Sequence, residues 1–158
     1  MIPSDHFVRM YNELFKMLEE RSHKDLQDYW REIADLQDSI LGAYIEKKGL
    51  EGMYDYWEHI RVEENCEAEL SVNNDFFEFK MLKCPSLSKN IDNDAGQCEL
   101  YCDHCAGWIG PVIERHGFYL VYDMISRTEP RCVIRVYKDK DKAEDYKGQV
   151  KLLSNPYN

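Results

Sequence analysis

Apolar side chains recur every three or four residues through the first 63 positions of the chain, which is the spacing of one helical face. The first stripe runs from about residue 4 to residue 21. A second stripe begins after Ser22, which with Asp25 three positions later resembles a capping box, and Gly49 is its predicted stop. A third stripe begins at Leu50. The pattern therefore predicts three leading amphipathic helices.

The period of the pattern changes to two after Asn65, where apolar and polar side chains alternate as on a strand with one wet face. Two such runs flank Asn73-Asn74-Asp75. The second run ends at Cys84-Pro85, because proline cannot extend a hydrogen-bonded ladder. Two further strands are predicted at residues 118–127 and 132–137. The four runs predict two hairpins.

Three of the six cysteines lie within eight residues between the two predicted hairpins. Cys98, Cys102 and Cys105 stand at positions i, i+4 and i+7, so on a helix their thiols share one face. A polar connection precedes this segment, and Asp94 with Gln97 three positions later is the predicted cap of the helix. The sequence thus predicts a cysteine helix between the hairpins.

The order of elements predicts an α+β fold, in which N-terminal helices precede a hairpin-helix-hairpin, four-stranded, mainly antiparallel sheet with helices on one face. Residues 1–140 form one predicted domain. Its helical part is residues 1–63, and the sheet plus the cysteine helix is residues 66–138. Residues 139–158 are predicted to be a polar C-terminal tail, because their charges indicate a solvated run.

The path of the cysteine helix predicts where its thiols lie. A helix that joins the two hairpins must cross a face of the sheet. That crossing is expected to bring Cys102 and Cys105 close to Cys132 in the last strand and to Cys84 at the end of the second strand. We therefore expect these four sulfur atoms to surround a common hollow.

Composition excludes two classes of partner. A chain of 158 residues with a formal net charge of −10 lacks the clustered positive charge that binds phosphate backbones, so nucleic acid is set aside. No run approaches the ~20 apolar residues of a membrane span, and no signal peptide is evident, so no membrane partner and a cytoplasmic location are predicted. Six cysteines in that compartment are expected to be reduced. Exposed sheet edges and the leading helices predict a homodimer.

The second half of the chain resembles the L-2-amino-thiazoline-4-carboxylic acid hydrolase family. The resemblance rests on four stretches, which are Lys83-Cys84-Pro85, Tyr101-Cys102-Asp103-His104-Cys105, an apolar strand from Phe118, and Arg131-Cys132-Val133. It implies a small soluble enzyme-like domain. The activity that it implies opens a thiazoline ring by hydrolysis on the way to cysteine.

The first functional hypothesis is a thiol-dependent hydrolase that cleaves a C–N or C=N bond of a small cyclic substrate. Cys102 matches the resemblance best and is the predicted nucleophile, and His104 and Asp103 are its predicted catalytic partners. Two positions along a regular helix span about 200°, so His104 reaches Cys102 only if the helix begins after Cys102. The side chains expected to contact the substrate are those of Cys84, Cys132 and Trp108.

Two alternatives remain open. In one, Cys102 and Cys105 form a Cys-x-x-Cys pair that ligates iron or a divalent metal such as zinc, and Cys84 and Cys132 complete a tetrahedral sulfur site. In the other, the chain is a non-enzymatic sensor that holds an apolar ligand in an aromatic pocket between the helices and the sheet. The order of elements is similar to that of vinyl-reductase-type ligand-binding domains. Each alternative has a small molecule or an ion as the partner.

Overall fold

The computed structural model describes residues 5–92 and 96–150. Within these ranges the chain has the predicted α+β fold, in which N-terminal helices precede a four-stranded antiparallel sheet. No helix there combines the length and the apolar character needed to cross a membrane. The helices are α1 (Asp5–Arg21), α2 (His23–Gln37), α3 (Ala43–Lys48), α4 (Leu50–Glu63), α5 (Pro85–Ile91), α6 (Asp103–Arg115) and α7 (Lys140–Lys147). The strands are β1 (Glu67–Val72), β2 (Phe76–Lys83), β3 (Tyr119–Asp123) and β4 (Cys132–Tyr137).

The helices predicted at the start of the chain are present, with one interruption. The Ser22 hydroxyl accepts a hydrogen bond from the Asp25 amide at 3.0 Å, which caps α2 at the predicted position. A π-helical turn at Asp38–Gly42 then separates α2 from α3. Gly49, with a φ of +60°, ends α3 and lets α4 turn back against it. The leading helices therefore form a packed layer.

The sheet has the strand order β1-β2-β4-β3, so the two hairpins join through β2 and β4. In that central pair, Phe79 lies opposite Ile134, and Met81 lies opposite Cys132. These four side chains share one face of the sheet, because residues two apart on a strand point the same way. That face packs against the helical layer and closes the main core.

The segment predicted as a polar connection after β2 forms the short helix α5 over part of its length. Pro85 occupies the first turn, where its missing N–H costs nothing. The sulfur of Cys84 accepts a hydrogen bond from the Leu87 amide at 3.4 Å and so caps the helix. Cys84 therefore has a structural contact that its sequence position alone did not reveal.

The predicted cysteine helix is shorter than expected. Helix α6 begins at Asp103, so Cys98 lies before it and does not share a helical face with Cys102 and Cys105. The reason is that the preceding loop bonds to other elements instead of continuing the helix backwards. The predicted cap at Asp94 lies outside the described residues.

Helix α6 approaches α2 closely because Gly107 has no side chain. A Cβ at Gly107 would lie 3.0 Å from the ring of Trp30, which is fully buried. Pro111 lies inside α6, which continues to Arg115. The residue before it is Gly110, which lacks the Cβ that the proline ring would crowd. Two glycines thus let a proline-containing helix pack against the helical layer.

The segment predicted as a polar tail is helical over part of its length. The Asp139 carboxylate caps α7 by accepting hydrogen bonds from two backbone amides. Ala143 packs with Val121 and Tyr137 on the face of the sheet turned away from the main core. The sheet therefore carries helices on both faces, where the sequence pattern predicts them on one. Residues 151–158 of the predicted tail lie outside the described residues.

The close approach of α3 and α4 leads to a prediction about stability. A Cβ at Gly52 would collide with the backbone carbonyl oxygen of Tyr44, and backbone cannot move aside as a side chain can. We expect Gly52→Ala to lower the free energy of unfolding by about 3 kcal/mol, the upper range for overpacking. Gly148→Ala is the control, because a Cβ there meets only ordinary contacts and alanine restricts the unfolded chain. Urea unfolding measures both, and equal stabilities for the two variants would contradict the close approach.

Candidate functional site

The loop before α6 is fixed to α1 by a buried amide. The Asn12 side chain is fully buried. Its Oδ1 accepts a hydrogen bond from the Cys98 amide at 2.8 Å, and its Nδ2 donates to the Gly96 carbonyl at 2.8 Å. Because both polar ends of Asn12 bond to backbone, the loop has one position relative to α1.

A buried ion pair fixes the first turn of α6 to the loop between β3 and β4. The Asp103 carboxylate is fully buried and pairs with the Arg127 guanidinium through both of its oxygens. The same guanidinium donates to the Glu99 carbonyl at 2.8 Å. The carboxylate and its hydrogen bonds raise the pKa of Arg127. Asp103, a predicted catalytic residue, is thus held by Arg127 and does not line the cavity described next.

A cavity of about 570 Å³ lies between the helical layer and the inner face of the sheet. Its wall contains five of the six cysteines, which are Cys66, Cys84, Cys102, Cys105 and Cys132. All six cysteines of the chain are free thiols. The aromatic part of the wall includes Tyr11, Trp57, Phe79, Tyr101, Trp108 and Tyr122. The hollow that the topology predicts is therefore present, and it is lined mainly by rings and sulfur.

The structure brings together most of the residues that the sequence analysis singled out. Six of them line the cavity, which are Cys84, Cys102, His104, Cys105, Trp108 and Cys132. Cys66 and Tyr122 also line the cavity, although no sequence pattern indicated them. Cys66 directly precedes β1, and Tyr122 alternates inward on β3, but neither pattern distinguishes a cavity residue from a core residue.

His104 contacts Cys105 and takes its orientation from the backbone. Its Nδ1 bonds to the Tyr101 carbonyl oxygen, and because a carbonyl only accepts, Nδ1 carries the proton. Its Nε2 is then the accepting nitrogen, and it lies 3.5 Å from the Cys105 sulfur. Helix α6 does begin after Cys102, the condition for a local pair, but the pair that forms joins His104 to Cys105. The sequence-based pairing with Cys102 has no counterpart among the described contacts.

The His104 ring is enclosed by aromatic side chains. Its centroid lies 4.5 Å from that of Trp108, 5.1 Å from that of Tyr101 and 5.5 Å from that of Phe15. These rings exclude water, and burial lowers the pKa of His104 to about 4. The imidazole is therefore neutral near pH 7, so Nε2 has a lone pair available for a hydrogen bond.

Burial also keeps the cavity thiols protonated. It raises the pKa of the Cys84 and Cys105 thiols to about 11. It raises the pKa of the Cys102 and Cys132 thiols above their ordinary value, and a negative charge on Cys105 would raise both further. Near neutral pH the thiols of this cavity are uncharged, so they present a polarisable, weakly polar surface.

The hydroxyl of Tyr122 bonds to the backbone just before α6. It donates a hydrogen bond to the Cys102 carbonyl at 3.3 Å. An interaction with Tyr122 lowers the pKa of the Cys105 and Cys132 thiols, against the larger effect of burial, which raises both. Tyr122 on β3 is thus bonded to the residue that precedes α6, at the cavity wall.

The predicted metal site is not formed by these side chains. Within the described part of the chain, no three His, Cys, Asp or Glu side chains converge in an arrangement that could hold a metal ion. The four predicted ligands, Cys84, Cys102, Cys105 and Cys132, share a cavity wall without converging. Cys84 is engaged as the cap of α5.

Comparison of the chain with protein-family models, with curated proteins and with solved structures finds no match.

The burial of His104 predicts how stability depends on pH. Since its pKa falls from 6.5 to about 4 on folding, the unfolded chain takes up a proton more readily. Above pH 6.5 His104 does not lower the free energy of unfolding. As the pH falls toward 4, protonation of the unfolded chain lowers the free energy of unfolding by about 3 kcal/mol, since each pKa unit corresponds to about 1.4 kcal/mol. We expect His104→Gln to remove that part of the slope in urea unfolding between pH 7 and pH 4. His59→Gln is the control, because His59 is an exposed residue of α4. If the free energy of unfolding depended on pH with the same slope in both variants, the burial of His104 would be contradicted.

Proposed function

We propose that this chain is a binding domain for an apolar small molecule, which it holds in the cavity between the helical layer and the sheet. The observation that carries the proposal is the cavity itself. Its volume of about 570 Å³ falls within the ~300–1,000 Å³ of small-molecule sites. Predominantly apolar walls with few polar groups are typical of such sites.

The chemistry of the wall supports an aromatic or unsaturated ligand. Protonated thiols and aromatic rings are polarisable surfaces, which favour contact with other π-systems and with hydrocarbon. The charged side chains in the wall are Glu64 and Arg131. Burial raises the pKa of Glu64, so that carboxyl group is the easier of the two to neutralise. A ligand with an apolar body and a single polar end matches this wall.

Hydrolysis of a C–N or C=N bond by a cysteine, the activity implied by the resemblance, is the second proposal. The observation in its favour is the 3.5 Å contact between His104 Nε2 and a cavity thiol. That thiol belongs to Cys105, so the proposal now has Cys105 as the nucleophile in place of Cys102. A cytoplasmic location and a homodimer also stay predictions.

Binding of a fluorescent apolar probe tests the first proposal. We expect N-phenyl-1-naphthylamine to gain fluorescence on entering the cavity and to stabilise the fold. At 100 times its Kd the stabilisation is about 2.7 kcal/mol, which for a chain of this size raises the Tm by roughly 5–10 °C. The fluorescence titration and a thermal melt with and without the probe measure the two effects.

A variant that fills the cavity locates the binding site. Ile109 is a buried residue of α6 that lines the cavity. Because the larger ring would occupy part of the cavity, Ile109→Phe is expected to weaken probe binding at least tenfold. Leu36→Phe adds a ring at an exposed position and serves as the matched control. Circular dichroism first establishes that both variants fold. Probe binding that is unchanged by Ile109→Phe, or absent from the wild type, would contradict the proposal.

A further inference from the structure

Among the cavity cysteines, Cys105 contacts a possible base as well as its packing neighbours. Cys105 keeps part of its surface exposed where it lines the cavity. Its sulfur lies 3.5 Å from the accepting nitrogen of His104, whose other nitrogen is held by the Tyr101 carbonyl. An activated thiol needs a base within reach and a third group that orients the base. Cys105, His104 and the Tyr101 carbonyl supply these three parts.

A second group in the same wall lacks a partner. The indole N–H of Trp108 is buried and has no hydrogen-bond partner within residues 5–92 and 96–150. A buried donor left unpaired costs about 1–3 kcal/mol. Trp108 lies against His104, and its side chain is part of the cavity wall. Its N–H is covered in the unbound protein, so pairing with a carbonyl oxygen on a bound molecule requires the indole to turn toward that molecule.

We propose that Cys105 adds to the β-carbon of an α,β-unsaturated carbonyl compound bound in the cavity, with His104 as the base and the Trp108 N–H as the partner of the carbonyl oxygen. This inference rests on the proposed binding function, and it specifies a ligand class for the same cavity.

The step balances without any further reagent. The Cys105 S–H proton passes to His104 Nε2 as the S–C bond forms at the β-carbon. The π-electrons of the C=C bond move toward the carbonyl oxygen, where the Trp108 N–H stabilises the developing enolate. The proton on Nε2 then returns to the α-carbon, which leaves a neutral thioether and a neutral imidazole. Because addition has no leaving group and consumes no water, it suits a site enclosed by rings and protonated thiols.

The first experiment locates the adduct. The probe is phenyl vinyl ketone at less than one equivalent, and the readout is intact mass followed by fragmentation of the labelled peptide. We expect a single adduct on Cys105, its loss in Cys105→Ser and its retention in Cys98→Ser, whose side chain is not part of the cavity wall. First labelling of any other cysteine would overturn the inference.

The second experiment tests His104 as the base. General-base catalysis contributes about 10²–10⁴-fold, so His104→Gln should slow the addition by about 100-fold. Between pH 6 and pH 8 the wild-type rate should stay level, whereas the rate of the variant should rise as thiolate forms. The groups around the pair do not add their own titration to the pH dependence of the rate. Burial raises the pKa of Tyr101, Tyr122 and the neighbouring thiols, so these groups stay neutral between pH 6 and pH 8. Asp103 is already paired with Arg127. An unchanged rate in His104→Gln would contradict the role of His104.

A saturated analogue separates this inference from the binding proposal. Propiophenone has the same ring and carbonyl group but cannot accept a thiol. We expect it to bind to the wild type, and more weakly to Trp108→Phe, which lacks the indole N–H. If propiophenone does not bind, the proposed binding function fails. If it binds and phenyl vinyl ketone gives no adduct, only the addition is wrong.

Discussion

A charge removed from water needs a counter-charge, and in this protein that requirement is met where Asp103 lies buried against Arg127. The pair joins the first turn of α6 to the loop between β3 and β4. On the other side of the same turn, Asn12 binds the backbone of the preceding loop. Breaking either attachment would leave buried polar groups unpaired. The positions of Cys102, His104 and Cys105 relative to the sheet therefore depend on interactions that are not themselves part of the cavity.

One physical effect underlies both the proposed binding and the proposed reactivity of the cavity. Exclusion of water penalises charge, so the thiols remain protonated and His104 remains neutral. Most of these groups then behave as hydrocarbon-like surface. The pair formed by His104 and Cys105 is different, because a neutral base and a protonated thiol in contact can exchange a proton without either being charged beforehand. The proposed addition therefore needs only this pair within an otherwise apolar wall.

Periodicity predicted most of the fold because most elements bury one continuous face. The leading helices and β4 follow from apolar spacing alone, and the topology placed Cys84, Cys102, Cys105 and Cys132 around one hollow. Helix α7 was missed because it buries a single small side chain, so its apolar signal is weak. The capping residue Asp139 is the sequence feature from which α7 could have been predicted.

The details of the site follow from contacts that periodicity does not encode. Cys98 has helical spacing with Cys102, yet its backbone is bonded to Asn12, a residue 86 positions away along the chain. The choice of Cys105 over Cys102 as the partner of His104 depends on where the first turn of α6 begins, which Arg127 and Asp103 determine together. Neither contact leaves a local pattern in the sequence.

Helix α5 is capped by a thiol, the side chain of Cys84. Sulfur is a weak acceptor, so Cys84 holds the Leu87 amide less firmly than a serine or aspartate would. A helix of seven residues has little stability of its own. Cys84 also lines the cavity. A ligand that bonds to its sulfur would compete with the Leu87 amide, so occupancy of the cavity would weaken the start of α5.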